Sequence, residues 1–196
     1  MSIDFPGRDS MIRSFDTAVQ AGDTASTMRA LRSALCEAIR SGDIHLPDCV
    51  FEGCPAHYAR RELYRSDEHG YCVIAMTWSP GQGTPIHDHS GMWCVEGVWQ
   101  GALEVVQYEL LEHDDPRYHF RPAGAIQAGA GSAGSLIPPH EHHTICNASD
   151  HDLAISVHVY QDRMTRCNVF EPEHGDWYLR RPQELSLDDI HSTVDH

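Results

Sequence analysis

A mainly β domain, a sandwich or barrel of short strands carrying an N-terminal helical layer, is what this sequence predicts. Three observations carry the prediction. Residues 8–41 repeat their apolar positions at helical spacing, residues 71–170 break into short apolar or alternating runs punctuated by turn residues, and no linker or repeat divides the two. Short strands at such spacing are the signature of an all-β sandwich or barrel. A chain of 196 residues suffices for one domain with a sizeable core.

The elements follow in order. Residues 8–21 and 24–41 read as helices. In the second, Met28, Leu31, Leu35, Ala38 and Ile39 form one apolar face. Gly22-Asp23 breaks and caps it, and Ser41-Gly42 closes it. Residues 46–55, with Pro47, Gly53 and Pro55, are irregular, and a short helical segment is expected over 56–64. Strands are expected over residues 71–78, 92–99, 103–111, 118–121, 124–128, 135–137, 143–147, 153–160 and 166–170. The expected division is a helical layer over 1–65, a β-barrel over 66–180 and an exposed tail over 181–196, all one domain.

Composition narrows the function. Net charge is −15, and all 14 basic residues are Arg, because the chain contains no Lys. An acidic chain without a basic stripe argues against nucleic acid and anionic membrane partners. The absence of Lys excludes Schiff-base chemistry on a lysine. No apolar run reaches the ~20 residues a membrane span needs, and residues 1–9 lack the basic-then-apolar pattern of a signal peptide. The expectation is a cytoplasmic protein, monomeric or a small homo-oligomer. The seven Cys (36, 49, 54, 72, 94, 146, 167) are odd in number and include no Cys-x2-Cys pair. Reduced thiols are expected, not a disulfide framework or zinc ribbon.

The densest chemistry lies in Gly81-Gln82-Gly83-Thr84-Pro85-Ile86-His87-Asp88-His89. In a strand, residues two apart share a face, so His87 and His89 can grip one metal ion from one wall. From Gly81 to Gly101 the chain reads G-x5-H-x-H-x4-C-x6-G. This resembles the first motif of the cupins, with Cys94 where most carry Glu. Residues 138–147, Pro-Pro-His-Glu-His-His-Thr-Ile-Cys-Asn, partly match the second motif in Pro, His and Asn, and select His143 among three nearby histidines. The resemblance implies a jelly-roll-like barrel whose metal ligands are His87, His89 and His143. Glu96, two residues beyond Cys94, is a weaker candidate for a fourth.

Cys94 in place of that Glu makes the chain resemble the thiol dioxygenases, specifically the cysteine dioxygenase family. Ser156-Val157-His158-Val159-Tyr160 matches that family's Ser-x-His-x-Tyr, and Cys167 follows at the matching distance. Alternation on a strand would put Ser156, His158 and Tyr160 on one side as a hydrogen-bond relay. The resemblance implies Fe(II) as cofactor, and O2 and a small carboxylate thiol as partners, with a sulfinic acid as product. It assigns catalytic roles to Tyr160, His158, Ser156 and Cys94, the last cross-linked to Tyr160 in the animal enzymes. Alignment spacing favours Arg61 as the carboxylate clamp, with adjacent Arg60 and distant Arg166 as alternatives. L-Cysteine is the favoured substrate. 3-Mercaptopropionate and mercaptosuccinate are the alternatives, and a non-catalytic metal-binding sensor is the reading from another class.

Overall fold

A computed structural model describes residues 3–190. Two helices open the chain, α1 (Arg8–Val19) and α2 (Thr24–Ser41). Asp23 caps α2 by accepting the Ser26 N–H at 2.8 Å, and Gly42, at φ 73°, ends it in the left-handed region that glycine tolerates. Both helices match the periodic runs in the sequence.

Eleven strands follow: β1 (Ala59–Ser66), β2 (Tyr71–Trp78), β3 (Ile86–His87), β4 (Cys94–Gln100), β5 (Ala102–Asp114), β6 (Arg117–Gly129), β7 (Ala133–Leu136), β8 (His143–Asn147), β9 (Ala154–Tyr160), β10 (Arg166–His174) and β11 (Trp177–Glu184). One sheet has the order β1-β2-β9-β4-β7, and the remaining strands close in the order β10-β11-β6-β5-β8-β3.

The five-stranded sheet separates two cores, and strand alternation sorts its residues between them. Tyr71, Val73, Ala75, Val95, Ile155, Val157 and Val159 face the helices and pack with Phe15, Leu31 and Leu35. Cys72, Ile74, Met76, Trp78, Cys94, Val98 and Tyr160 face the barrel interior and meet Leu103, Val105, Ile145 and Val169. Burial on both faces explains why β2 reads as a continuous apolar run, every residue of it buried. Gly97 lets α2 lie close, since a Cβ there would stand 2.9 Å from both Ile39 Cδ1 and Leu35 Cδ2.

The structure corrects the sequence reading in four places. Residues 56–64 are not helical. Arg60-Arg61-Glu62-Leu63 are good helix formers, but β1 pairs along the edge of β2, and that pairing overrides propensity. The expected strands at 118–121 and 124–128 are one strand. Pro122, which suggested a break, sits opposite Tyr108 where the register shifts. Strand β11 crosses the expected barrel–tail boundary at 180/181. Its Pro182 pairs only with Asn168 of β10, because β6 accompanies β11 over Trp177–Leu179 alone. Residues 185–190 are not a free tail. Leu185 and Leu187 pack on the interior core, and Asp188 donates its backbone N–H to the Arg60 carbonyl while its carboxylate accepts the Arg60 N–H. The part of the expected tail at 191–196 lies outside the described residues.

Candidate metal centre

His87 ends β3 and pairs with His143 of β8, so the register puts two imidazoles side by side. His89 lies just past β3, in a turn rather than in the expected strand. Asp88 fixes that turn. Its carboxylate accepts the Ser90 N–H, the Asn168 N–H and the Asn168 side-chain amide at 3.1, 2.9 and 2.7 Å. Asp88 is thereby turned toward β10, and the flanking histidines converge. The first and last glycines of the sequence motif, Gly81 and Gly101, both have positive φ, 77° and 74°. The motif's Asn147 is structural, its amide donating to the Trp78 and Asp152 carbonyls.

His87, His89 and His143 bring one ligand atom each to within 4.8 Å of one another. Nδ1 of His87 and Nδ1 of His143 lie 3.1 and 2.9 Å from the carbonyls of Pro85 and Glu141. A carbonyl only accepts, so each Nδ1 carries the proton and each Nε2 carries a lone pair. His89 is almost wholly buried, and its Nδ1 has no hydrogen-bond partner among the described residues. Burial, and then repulsion between neighbouring imidazoles, pushes His87 down to about 3 and His89 well below the usual range, and burial pushes His143 down to about 4. All three are neutral at physiological pH. Converging lone pairs and an orphaned buried nitrogen fit a divalent cation. His140 is exposed, and His142 faces away, packed on Phe120 and Phe170.

The relay residues alternate into the interior from β9. Trp78 Nε1 donates to Ser156 Oγ at 2.9 Å, and that oxygen lies 2.8 Å from His158 Nε2. The indole N–H takes one lone pair of the hydroxyl, and His158 Nε2 is the acceptor that the described residues offer the Ser156 proton, which leaves the ring proton on Nδ1. His158 Nδ1 faces Tyr160 Oη at 3.4 Å. Burial, followed by nearby His143, holds His158 near 3, so the ring is neutral. Burial and the neighbouring Cys94 push the Tyr160 phenol well above its usual range. Cys94 stands directly opposite Tyr160 in the β4–β9 register, and its buried thiol is likewise raised.

A cavity of about 390 Å³ opens onto the three imidazoles, with Tyr58, Arg60, Glu96, His158, Tyr160 and Cys167 among its lining residues. Among the described residues, Arg60 supplies the guanidinium on its wall. The reason is alternation on β1: Arg60 points in with Met76, whereas Arg61 points to the other face. The Arg61 guanidinium donates to Thr77 Oγ1 and the Glu52 carbonyl, tying the 3-10 turn Asp48–Phe51 and its exit to the sheet. Arg61 is therefore not on the cavity wall. Arg166 is exposed on β10, where its neighbour Cys167 turns inward, and Arg163 reaches Glu62 at 3.9 Å. Neither lines the cavity.

Sequence reasoning missed Tyr58, stacked on Trp78 with ring centroids 4.5 Å apart, and Trp78 as the donor to Ser156. Both are aromatics at strand edges, which carry no sign of polar work. Glu96 is buried and lines the cavity, its Oε2 3.8 Å from His143 Nε2 and 3.5 Å from His158 Nδ1.

A closed β-barrel with convergent imidazoles at its mouth defines a metal-binding cupin. The family is narrower. The model of the family described as "Cysteine dioxygenase type I" matches residues 55–173, more than half of the 196-residue chain, and the chain belongs to that family. It is 23% identical over 117 residues to "Cysteine dioxygenase type 1" of Danio rerio, covering 59% of this chain and 57% of that one. The Rattus norvegicus protein of the same name is 22% identical over 144 residues, covering 64% and 67%. The matched stretch thus spans little more than half of the first relative and two thirds of the second. Among solved structures, the protein TT1209 from Thermus thermophilus superposes with a TM-score of 0.44 at 19% identity over 57% of this chain and 90% of that one. Oxalate oxidase in complex with glycolate gives 0.43 at 19%, over 56% and 53%.

Proposed function

We propose that this protein is an iron(II) thiol dioxygenase that converts a small carboxylate thiol, L-cysteine foremost, to its sulfinic acid. The observation that carries the proposal is the one cavity wall that joins His87, His89 and His143 to Arg60 and Tyr160. His87, His89 and His143 would hold the metal. Bound there, iron(II) supplies a Lewis acid for a thiolate and the redox chemistry that O2 requires.

The remaining work belongs to the chain. Arg60 takes the substrate carboxylate through its planar fork and fixes the sulfur in register. Two carbonyls, Ser186 and Met164, already hold its guanidinium at 3.1 and 3.4 Å. Because His158 Nδ1–H is turned to the phenol oxygen, the Tyr160 proton is free to be donated into the cavity, to the oxygen being transferred or to the carboxylate. The Trp78–Ser156–His158 chain holds that orientation. Cys94, opposite Tyr160 in the β4–β9 register, would form a thioether to the phenol ring. That bond would lock the ring, the two lost hydrogens going to O2.

Mercaptosuccinate fits less well, since its second carboxylate finds no second guanidinium on the wall among the described residues. A metal-binding sensor shares the histidines but has no use for the relay.

Oxygen uptake decides the reading. Protein loaded anaerobically with iron(II) is offered L-cysteine, 3-mercaptopropionate and mercaptosuccinate in parallel. Uptake with formation of the matching sulfinate is expected for L-cysteine. No uptake with any thiol, from protein that holds iron, would overturn the proposal.

A further inference from the structure

The buried carboxyl of Glu96 has no task in the chemistry above. It lies on β4, one inward position beyond Cys94, and is 9% exposed. Its Oε2 is out of contact with solvent and accepts no hydrogen bond from the described residues. A buried carboxyl oxygen left without a donor is costly, and such sites persist where a ligand completes them.

The surroundings limit where a donor can come from. Behind Glu96 is a second cavity of about 90 Å³, lined by apolar side chains such as Leu103, Val105, Ile126 and Ala128 and by two hydroxyls already engaged elsewhere, Ser132 Oγ with the Gly129 carbonyl and Ser156 Oγ with Trp78 and His158. Arg60 does not supply it: its guanidinium donates to the Ser186 and Met164 carbonyls, and none of its N–H groups is hydrogen-bonded to Glu96 Oε2. His158 Nδ1 lies 3.4 Å from Tyr160 Oη and 3.5 Å from Glu96 Oε2 but makes its hydrogen bond with the phenol, and His143 Nε2 carries a lone pair. Glu96 lines the main cavity, and a further donor can reach it from there. Glu96 is also not placed as a fourth metal ligand. Its Oε2 stands 3.8 Å from His143 Nε2, yet it groups with Cys94 and His158 and not with the three-histidine set as a whole.

We propose that Glu96 is the specificity-determining residue of the pocket, accepting a hydrogen bond from an amine on the substrate. The inference rests on the reading of the site as a thiol-binding centre. Arg60 and Glu96 then form a complementary pair on separate walls, one for a carboxylate and one for an N–H donor. The ligand class so defined is an aminothiol carboxylate. A thiol acid without the amine leaves the Glu96 oxygen unsatisfied, and a site built for a hydrogen bond rejects analogues that lack it. A second carboxylate at that position brings a further acceptor where Glu96 lacks a donor.

The test compares L-cysteine with 3-mercaptopropionate, which differ by the amine. Dissociation constants are measured calorimetrically on anaerobic iron(II)-loaded protein, wild type, Glu96→Leu and Glu96→Gln, with iron content determined for each. Wild type is expected to favour L-cysteine by about tenfold or more. Glu96→Leu should erase that preference while keeping full iron content. Glu96→Gln, which retains an acceptor oxygen, should fall between and serves if the Leu variant fails to fold. An unchanged affinity ratio in the variants, or loss of iron on substitution, overturns the inference. Absence of oxygen uptake in wild type overturns the dioxygenase reading instead, and the anaerobic affinities still judge Glu96.

Discussion

Arg60 and Arg61 are sequence neighbours with opposite tasks, and their substitution separates binding from stability. Arg60→Gln removes the guanidinium that lines the cavity. It should raise KM for a carboxylate thiol by ~10-fold or more with a smaller change in kcat, as expected for a lost charged hydrogen bond. Arg61→Gln should instead lower the midpoint of urea unfolding, because it frees Thr77 and the Glu52 carbonyl, and should leave KM near wild type. A KM defect in the Arg61 variant alone would reverse the assignment. Tyr160→Phe keeps the ring and loses the phenolic proton. Iron content should stay at the wild-type level while kcat falls by ~10²-fold, the usual scale for a positioned proton donor. His143→Ala should lose iron itself, measured as metal per chain after desalting, because two imidazoles remain of three.

Among the elements, β4 and the segment after β11 carry the sharpest expectations. On β4, Gly97 faces α2 while Glu96 faces the cavity, so a substitution at 97 tests helix packing. Gly97→Val should cost about 1–3 kcal/mol in chemical denaturation, the overpacking range, since Leu35 is wholly buried and cannot retreat freely. Leu185 lines the cavity, and the segment from there to Asp188 runs beside β1. Asp188 accepts the Arg60 N–H at 2.8 Å and returns its own N–H to the Arg60 carbonyl at 2.8 Å. A chain ending at Glu184 should bind iron normally but bind substrate more weakly, because the strand position of Arg60 loses its outer partner. Normal substrate affinity in the truncated protein would show that β2 alone holds Arg60.

For the whole molecule, buried neutral histidines set the pH response of the metal-free protein. His87 is held near 3, His143 near 4 and His158 near 3, chiefly by burial, against about 6.5 when unfolded. The unfolded chain therefore binds more protons between these values, so native stability is complete above pH ~6.5 and falls as pH drops toward 3. Glu96, raised to about 7 by burial, has the opposite sign, losing stability as pH rises from ~4.5 through 7. Thermal unfolding of metal-free protein should thus show a lower Tm at pH 5 than at pH 7.5, and a Tm that is flat across that interval would contradict neutral burial of the histidines. Much of this was legible in the sequence. Helical periodicity marked α1 and α2, alternation marked most strands and the Ser156–His158–Tyr160 step, and the resemblance to the cupin motifs singled out His87, His89 and His143. What spacing does not encode is which neighbour an edge strand finds. Pairing with β2 made residues 59–66 a strand and so decided that Arg60, not Arg61, enters the cavity. Pairing with β10 carried Pro182 into β11 and brought Leu185 to the cavity wall. The same holds for Glu96: its place in the chain says only that it faces inward with Cys94. Its want of a donor is decided by neighbours that distant segments supply, none of which gives its Oε2 a hydrogen bond among the described residues. Local spacing fixes which face a residue takes within an element, and only long-range packing fixes what that face meets.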